Sequence, residues 1–439
     1  MSKQDKKELR QQIACEWLEN NYLSFSSLRH DVITDRLQIR CADSTGEEAI
    51  RRGGDRQERW RNLTDKDINT MVCQCVAESQ VNINVSEMWT ALKSDMVPSV
   101  HPIRAWLEGL KPYTEDQPDW IDFVAQQVRV AGDEAKGDEA SRQEYWRICF
   151  KKWFVAMVAS WMKDEVVNHT VLVLIGRQGI FKTTWLERLI PPALRAYSSK
   201  LPLSGQISKD DRLRLCENAM LNIDELDAIC GREMNIVKSL LTSTDVNERA
   251  AYGRLKERRV RLASFCASTN NREFLTDITG NRRWLPFEVE GIQNPFHTTI
   301  PYELIYAQAK YLVDQGWFMY WFDLEEIEKL EKHNEEFRAL ENEELLLPIL
   351  FDIPADGKGE FMTTAEISDK LVSYGGIKKP MNIRKLNAIL ERHGFNAARP
   401  YVDGKQVRGW LVYKRKQDEI EIKQKELANK SQRHEDMLY

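Results

Sequence analysis

The sequence predicts a mixed α/β protein: a mostly parallel sheet in the middle of the chain, a helical region before it and a small basic domain after it. Three short apolar runs predict the sheet, namely "VLVLI" (171–175), "AMLNI" (219–223) and "LASFCAS" (262–268). Runs of this length, bounded by turn residues and separated by helical segments, are typical of buried parallel strands. The chain has 439 residues, enough for two or three domains with cores of their own.

Composition narrows the class of protein. Hydrophobic residues make up 42% and charged residues 30%, as in ordinary globular proteins. No apolar run approaches the roughly 18 residues of a membrane span, and the charged start of the chain lacks the apolar core of a signal peptide. The eight cysteines form no C-x-x-C pair. We expect a reduced, cytoplasmic protein with no structural metal and no membrane partner.

Four regions follow from the pattern along the chain. Residues 1–115 are predicted to be a helical adaptor, with helices capped by Thr64 and Ser86 and a third opened by the proline of "HPIRAWLEGL". Residues 116–345 hold the α/β domain and its helical lead-in, with a Glu/Lys-rich helix over 324–346. A basic domain occupies 356–416. The charged tail, 417–439, is either a solvated helix or disordered.

The first predicted strand leads into "GRQGIFKTTW", which matches a phosphate-binding loop of the G-x-x-x-x-G-K-[ST] kind at all but one position. In such a loop backbone N–H groups point at phosphate, the lysine neutralises the β- and γ-phosphates, and the threonine holds Mg²⁺. The order of strand, loop and helix favours a working ATP site over a chance match. Contacts to ATP are assigned to Gly176, Gln178, Gly179, Ile180, Phe181, Lys182, Thr183 and Thr184.

Phe181 is the exception, since the motif has glycine before its lysine. Glycine lets the loop turn tightly and keeps a Cβ away from the phosphates. We expect phenylalanine to be tolerated with ordinary backbone angles and with a ring that points away from the nucleotide, onto the domain core. ATP affinity is then altered but not lost.

Polar residues follow the other two predicted strands. Asp224 and Glu225 come directly after "AMLNI", 42 residues beyond Lys182. Asp224 is assigned to the Mg²⁺ site and Glu225 to the general base that activates water. Asn270, after "LASFCAS", is assigned to orienting that water and sensing the γ-phosphate. The alternatives are an acidic pair that opens a helix and an ordinary turn asparagine.

Two adjacent arginines stand behind a Gly-Asn turn in "TGNRRWLPFEV". One of them, Arg282 or Arg283, is assigned to stabilising transition-state charge from across a subunit interface, as an arginine finger. The alternative for an isolated arginine pair is a solvated surface feature.

In this order, Lys182-Thr183, Asp224-Glu225, Asn270 and Arg282-Arg283 resemble the superfamily 3 helicase type of AAA+ ATPase. The segments "GRQGIFKTTW", "NIDEL", "FCASTN" and "TGNRRWLPFEV" are more specifically similar to the virulence-associated protein E family of phages and mobile elements, over roughly residues 60–320. "HPIRAWLEGL" resembles a segment that this family carries upstream. The resemblance implies an AAA+ type P-loop ATPase domain, a role in replication and a homo-oligomeric ring, for which a hexamer is one form. No primase-like carboxylate or zinc motif is visible, so a separate primase or initiator protein is an expected partner.

Two segments are predicted to contact DNA. Asn247–Arg261 holds six Lys/Arg against two Glu, and superfamily 3 helicases place a hairpin here that projects into the central channel. The resemblance therefore assigns Tyr252, Arg254 and Lys256 to gripping single-stranded DNA by stacking and phosphate contact. The alternative is a solvated basic hairpin.

The second segment is the basic C-terminal domain, where residues 361–416 hold 12 Lys/Arg against 4 Asp/Glu. "TTAEISDKL" and "NIRKLNAILERHGF" are predicted helices, and Asp403-Gly404 predicts the turn of a β-hairpin. Two helices and a hairpin make a winged helix, a shape that binds duplex DNA, although some winged helices bind protein instead. The DNA contacts assigned here are Arg384, Lys385 and Arg408.

Three functions are compatible with these features. The first, which the sequence favours, is an ATP-dependent DNA helicase or translocase. The second is a DNA-binding ATPase switch, an initiator or regulator that does not unwind. The third is a P-loop kinase with a DNA-binding appendage, but a kinase does not need the ordered set that Asn270 and the arginine pair complete.

Overall fold

The computed structural model describes residues 3–41, 60–132, 137–202, 208–223, 226, 231–248, 257–275, 281–354, 359–402 and 404–436. Two compact units can be distinguished, Met1–Phe337 and Arg338–Tyr439, and each is described by itself. The four-region division stays a prediction.

The N-terminal region contains a four-stranded sheet, which corrects the expectation of a largely helical region. Its helices are α1 (Lys3–Leu18), α2 (Asp65–Ser79) and α3 (Val85–Leu92), with a π-helical segment Glu19–Leu23 after α1. The strands lie in the order β3 (Trp60–Asn62), β2 (Arg36–Arg40), β1 (Leu28–Asp31), β4 (Ser99–Val100). Strands of two to five residues are too short to show the alternation by which a strand is recognised in a sequence.

Two of the predicted helix starts are confirmed and one is wrong. Thr64 caps α2 with a full capping box, and α4 (Pro102–Glu108) begins with its proline. Helix α3 is capped by Asn84 and not by Ser86. Asn84 accepts a hydrogen bond from the backbone of Glu87, whose carboxylate bonds back to Asn84, so the reciprocal pair starts the helix two residues earlier.

A second sheet, of six strands, forms the centre of this unit. The helices around it are α5 (Trp120–Ala125), α6 (Glu139–Met162), α7 (Lys182–Arg188), α8 (Lys209–Glu217), α9 (Gly231–Thr242), α10 (Tyr302–Gln315) and α11 (Leu324–Asn334). The strands, in spatial order, are β5 (Val128–Val130), β12 (Trp284–Ile292), β6 (Val171–Ile175), β11 (Ser264–Thr269), β8 (Met220–Ile223) and β7 (Ser198–Lys200). All are parallel except the edge strand β5. The three apolar runs therefore form adjacent strands, as predicted.

Helices cover both faces of this sheet, which explains why β6 at its centre is apolar throughout. Leu172 and Leu174 of β6 face one core, to which the aromatic residues of α6 contribute. Val171, Val173 and Ile175 face the other, with residues of α8 and α9. Alternation along the strand divides its side chains between two apolar layers, so every position of β6 is buried.

The Glu/Lys-rich stretch is not one helix over 324–346. Helix α11 ends at Asn334, and a short 3-10 turn, Glu335–Phe337, follows it. The side chain of Asn334 is fully buried and donates hydrogen bonds to the carbonyls of Asn281 and Trp284. This tertiary contact at the helix end has no signature in the local sequence.

The second unit, Arg338–Tyr439, is small and mixed. It contains helices α12 (Asn342–Leu350), α13 (Thr364–Gly375), α14 (Ile383–Arg392) and α15 (Gln417–Asp436). Strand β18 (Gly409–Lys414) pairs with β13 (Phe351–Asp352), β14 (Glu360–Met362) and β15 (Asn396–Ala398). The predicted hairpin is present as β16 (Tyr401–Val402) and β17 (Lys405–Gln406). None of the helices in the described ranges has both the length and the apolar character that a membrane span requires.

Candidate functional site

The predicted phosphate-binding loop lies at the carboxyl end of β6, between two parallel neighbours. Gly176 (φ +150°) and Gly179 (φ +89°) adopt backbone angles that favour glycine. A Cβ at Gly176 would lie 2.8 Å from the carbonyl oxygen of Val289 in β12, so the loop and this strand are in close contact. Of the other residues assigned to ATP contact, Gln178 is exposed, and Ile180 and Thr184 are half-buried.

Lys182 joins the loop to the neighbouring strand. Its Nζ donates hydrogen bonds to the carbonyl oxygens of Gly176 (2.5 Å) and Arg177 (2.8 Å) and to Oδ1 of Asn270 (3.0 Å). The side chain is only 7% exposed. Because β11 is the hydrogen-bonded neighbour of β6, Asn270 at its end comes beside the loop. The lysine and the asparagine, assigned separately from the sequence, are in direct contact.

Thr183 places a hydroxyl at the same edge of the sheet. Its Oγ1 lies 2.8 Å from Oγ of the buried Ser268, and either hydroxyl can donate. Ser268 has no role in the sequence prediction, although a hydroxyl in an apolar strand is the signal that could have found it. A threonine oxygen is a ligand that Mg²⁺ accepts, so Thr183 fits the predicted metal. Within the described ranges, no group of three or more His, Cys, Asp or Glu is placed so that it could hold a metal ion.

Two expectations about Phe181 are wrong, one on its backbone angles and one on the place of its ring. Its backbone is left-handed (φ +67°, ψ +17°), so the ordinary angles expected from the sequence are wrong. The loop keeps the geometry that the motif glycine would allow, and holding a residue with a Cβ in it costs about 1–2 kcal/mol. Its ring makes an edge-to-face contact with Phe296, with centroids 6.2 Å apart and planes at 80°. Phe296 is 76% exposed, so the ring meets a surface side chain and not the domain core.

The predicted carboxylates, Asp224 and Glu225, lie outside the described residues. The strand before them, β8, pairs with β11 in parallel and ends at Ile223, at the edge where the loop lies. One residue earlier, the amide of Asn222 is buried, and neither its oxygen nor its nitrogen has a hydrogen-bond partner among the described residues. Buried polar atoms without partners are uncommon in folded proteins.

Arg282 and Arg283 are not brought to the loop of their own chain. They form a 3-10 turn with Asn281 directly before β12, where Arg282 is exposed and Arg283 is half-buried. Trp284, the first residue of β12, pairs with Val171, the first residue of β6. The arginines therefore lie at the amino edge of the sheet and the loop at its carboxyl edge. The four steps of about 3.3 Å from Val171 to Ile175 alone put about 13 Å between these edges.

The predicted DNA hairpin corresponds to an antiparallel strand pair, β9 (Asp245–Glu248) and β10 (Glu257–Val260). Two of its basic side chains are ion-paired within the fold, Arg258 with Asp245 (2.6 Å) and Arg259 with Glu217 (3.1 Å). Their charge is therefore partly neutralised. The residues assigned to gripping single-stranded DNA lie outside the described residues: Tyr252, Arg254 and Lys256.

Arg261, counted with that basic segment, is a buried structural cation. Its guanidinium is fully buried and donates to the carbonyl oxygens of Leu241 (2.7 Å), Asn168 (2.7 Å) and Ala263 (3.0 Å). Burial lowers its pKa to about 9. This arginine supplies no charge to the surface.

The DNA contacts assigned to the second unit differ in their surroundings. Arg384 is exposed at the start of α14 and has no acidic partner among the described residues. Lys385 is half-buried and ion-paired with Glu341, and Arg408 pairs with Glu391 at 3.0 Å. Of the three cations, Arg384 is the most available to an external phosphate.

The comparison with known families agrees with the motifs that surround this site. Residues 134–339 match the model of the virulence-associated protein E-like domain. These residues are a virulence-associated protein E-like domain. The match includes the loop, Asn270 and the arginine pair, and the family resemblance read from the sequence is confirmed. No curated protein matches the chain.

Solved structures of the NrS-1 C-terminal region are similar to the chain that holds this virulence-associated protein E-like domain. An apo structure has 11% sequence identity and a TM-score of 0.44, and the match covers 89% of this chain and 97% of that one. An A-form apo structure of the same region has 10% identity and a TM-score of 0.43, with 90% and 99% covered.

Proposed function

We propose that the chain is an ATP-dependent DNA helicase or translocase that acts in the replication of a phage or mobile element, built on an AAA+ type P-loop ATPase domain. One observation carries the proposal: the ammonium of Lys182 hydrogen-bonds to the loop and also to Asn270 on the next strand. A γ-phosphate at this point would meet a cation and an amide together. The virulence-associated protein E-like domain supports the phage or mobile-element setting.

The order of the strands supports the same site. Because β11 lies between β6 and β8, Asn270 comes directly beside the loop, and the strand that precedes Asp224 and Glu225 is one position farther. Ligands of parallel α/β sheets bind outside the carboxyl ends of the strands. A triphosphate laid across this edge would extend from the loop toward the strand with the carboxylates.

Each residue then has a defined task in ATP hydrolysis. Lys182 neutralises charge on the β- and γ-phosphates, and Thr183 with Asp224 holds Mg²⁺, which supplies further charge neutralisation when bound. Glu225 accepts a proton from the attacking water, and Asn270 orients that water through its amide. The position of Arg282 and Arg283 at the opposite edge supports a finger given to a neighbouring subunit, and hence a ring oligomer.

DNA contact is assigned to two places. The pair β9–β10 supports a hairpin whose tip, with Tyr252, Arg254 and Lys256, would grip a single strand. The second unit has the helices α13 and α14 followed by paired strands and a hairpin, which supports a winged helix that binds duplex DNA through α14, with Arg384 as the principal cation. A separate primase or initiator is the proposed partner, and the cytoplasm the proposed location.

The alternative is an ATPase switch that binds DNA without unwinding it. The ion pairs of Arg258, Arg259, Lys385 and Arg408 favour this alternative, because cations held by the fold contribute less to tracking along a backbone. ATP binding would then drive assembly of the chain into an oligomer, and not unwinding.

Strand displacement on a forked DNA separates the two functions. We expect the wild-type chain to displace the strand with ATP, and Lys182→Ala and Glu225→Gln to lose both displacement and hydrolysis, each by at least about a hundredfold, since each removes a group that acts on the transition state.

Matched controls are Lys209→Ala and Glu303→Gln, which change exposed residues of α8 and α10 and should retain wild-type rates. DNA-stimulated hydrolysis without displacement would establish the switch instead. Absence of ATP binding and hydrolysis in the wild-type chain would overturn both functions.

A further inference from the structure

An exposed aromatic side chain stands beside the phosphate-binding loop. Phe296 is 76% exposed, and its closest aromatic neighbour is Phe181, the residue directly before Lys182. The two rings meet edge to face, so the flat face of at least one ring remains open to solvent. Exposing most of a phenylalanine to water is unfavourable, and aromatic side chains commonly line ligand pockets, so a ring beside the loop is available to a ligand.

The segment that carries Phe296 is held by hydrogen bonds of its own and by a hydrogen bond from α7, the helix that follows the loop. Oδ1 of Asn294 accepts a hydrogen bond from the backbone N–H of Phe296 at 2.9 Å, and the carbonyl of Asn294 accepts one from Thr298 N at 3.1 Å. Arg188, the last residue of α7, donates to the carbonyl of Thr298 at 3.1 Å. These contacts hold the backbone of this segment beside the helix that follows the loop.

The order of the strands indicates which end of a nucleotide would reach this ring. The contacts of Lys182 with Asn270 put the phosphate end on the β11 side of the loop. Strand β12 lies on the other side of β6, where Glu288 pairs with the last residue, Ile175, and the strand continues four residues farther to Ile292. Phe296 follows this extension. A nucleotide with its phosphates toward β11 therefore has its base toward β12.

We propose that Phe181 and Phe296 form the base-stacking subsite of the nucleotide site. The proposal rests on the proposed function, which supplies the phosphate end. An aromatic ring attracts the π-face of any base, and the attraction grows with the area of the base. This subsite therefore ranks ligands by the size of the base: it binds ATP and GTP equally well, CTP and UTP more weakly, and tripolyphosphate most weakly. The unusual phenylalanine in the loop is then part of base binding.

The test is competition binding with ATP, GTP, CTP and tripolyphosphate on the full-length protein. We expect Phe296→Ala to weaken ATP and GTP binding roughly tenfold and to leave tripolyphosphate binding unchanged, because stacking on one aromatic ring accounts for about that factor. Phe296→Trp should restore or strengthen ATP binding. The matched control is Phe25→Ala, another phenylalanine at 63% exposure, which should bind every ligand as the wild type does.

The outcomes separate this proposal from the function on which it rests. If the wild-type chain binds ATP and Phe296→Ala binds it equally well, the stacking subsite is overturned while the ATPase stands. Equal loss of ATP and tripolyphosphate in Phe296→Ala overturns it too, since the ring would then act on the loop and not on the base. If the wild-type chain binds neither ATP nor tripolyphosphate, the proposed function itself fails, and the subsite with it.

Discussion

Phe181 shows how a motif can lose a residue type and keep its geometry. The left-handed angles of this position are those that a glycine takes without strain, and the hydrogen bonds of Lys182 depend on the turn that they create. The strain is local and small compared with the burial of β6 and α7 around it. The phenylalanine therefore changes the surface of the loop but leaves its backbone turn in place.

Replacing Phe181 by glycine and by alanine measures this strain. We expect Phe181→Gly to have a free energy of unfolding about 1 kcal/mol higher than Phe181→Ala, because alanine keeps the left-handed cost and glycine does not. Urea denaturation measures the difference. The same pair of changes at Gln74, exposed inside α2, should give the opposite order, since alanine is the better helix former there. Alanine as stable as glycine at position 181 would contradict the left-handed backbone.

At this scale the sequence predicted residues that the fold brings together, but not the residues around them. Lys182, Thr183 and Asn270 could be assigned because motif spacing and strand order are readable along the chain. Ser268 was missed although its hydroxyl in an apolar strand was a readable signal, since its contact with Thr183 spans 85 residues. Phe296 left no signal, since its importance comes from a contact with Phe181 far along the chain. The backbone angle at Phe181 is likewise set by the loop, and residue type predicted it wrongly.

Among the elements, the C-terminal end of α9 receives hydrogen bonds from the buried cation Arg261, in addition to those from Ser243 N and His169. The last carbonyls of a helix have no partner within it, and here Arg261 donates to those of Leu240 (3.2 Å) and Leu241 (2.7 Å). The same guanidinium bonds Asn168, in the segment that enters β6. The guanidinium of Arg261 thus connects the C-terminal end of α9 with the segment that leads into β6, the strand before the loop.

We expect Arg261→Met to lower the free energy of unfolding by about 3 kcal/mol, because methionine fills the space but removes a hydrogen-bond donor from several buried carbonyls at once. The matched control is Arg258→Met on the same strand, where a 76% exposed cation is replaced and the loss should stay below about 1 kcal/mol. Chemical denaturation of both variants gives the comparison. Equal losses would mean that Arg261 acts only as part of the surface charge.

The elements most accurately predicted are those whose pattern is local. The runs at 171–175, 219–223 and 262–268 became β6, β8 and β11 within two residues at each end, because strands covered on both faces are predominantly apolar. The N-terminal sheet was missed because its strands are short and because β3 and β4 pair with strands far away along the chain. The helix predicted over 324–346 was broken by the contacts of buried Asn334, which no local pattern encodes.

At the scale of the whole molecule, the central sheet separates two halves of the proposed chemistry. The loop, Lys182 and Asn270 lie at the carboxyl edge, and Arg282 with Arg283 at the amino edge. A single subunit cannot close this gap without breaking the sheet. In a ring with head-to-tail contacts, however, the amino edge of one subunit can face the loop of the next.

Mixing two inactive variants tests this arrangement. Arg283→Ala keeps its loop and Lys182→Ala keeps its arginines, so a mixed ring contains some interfaces with both parts intact. We expect each variant alone to bind DNA but to hydrolyse almost no ATP, and an equal mixture to recover roughly a quarter of wild-type turnover for random assembly.

Lys182→Ala mixed with Glu225→Gln is the matched control: both changes damage the loop side, so every interface stays defective and no turnover returns. Recovery with Arg282→Ala but not with Arg283→Ala would move the finger by one residue. No recovery with either arginine variant would contradict a finger supplied in trans, and the amino edge of the sheet would then have no part in hydrolysis.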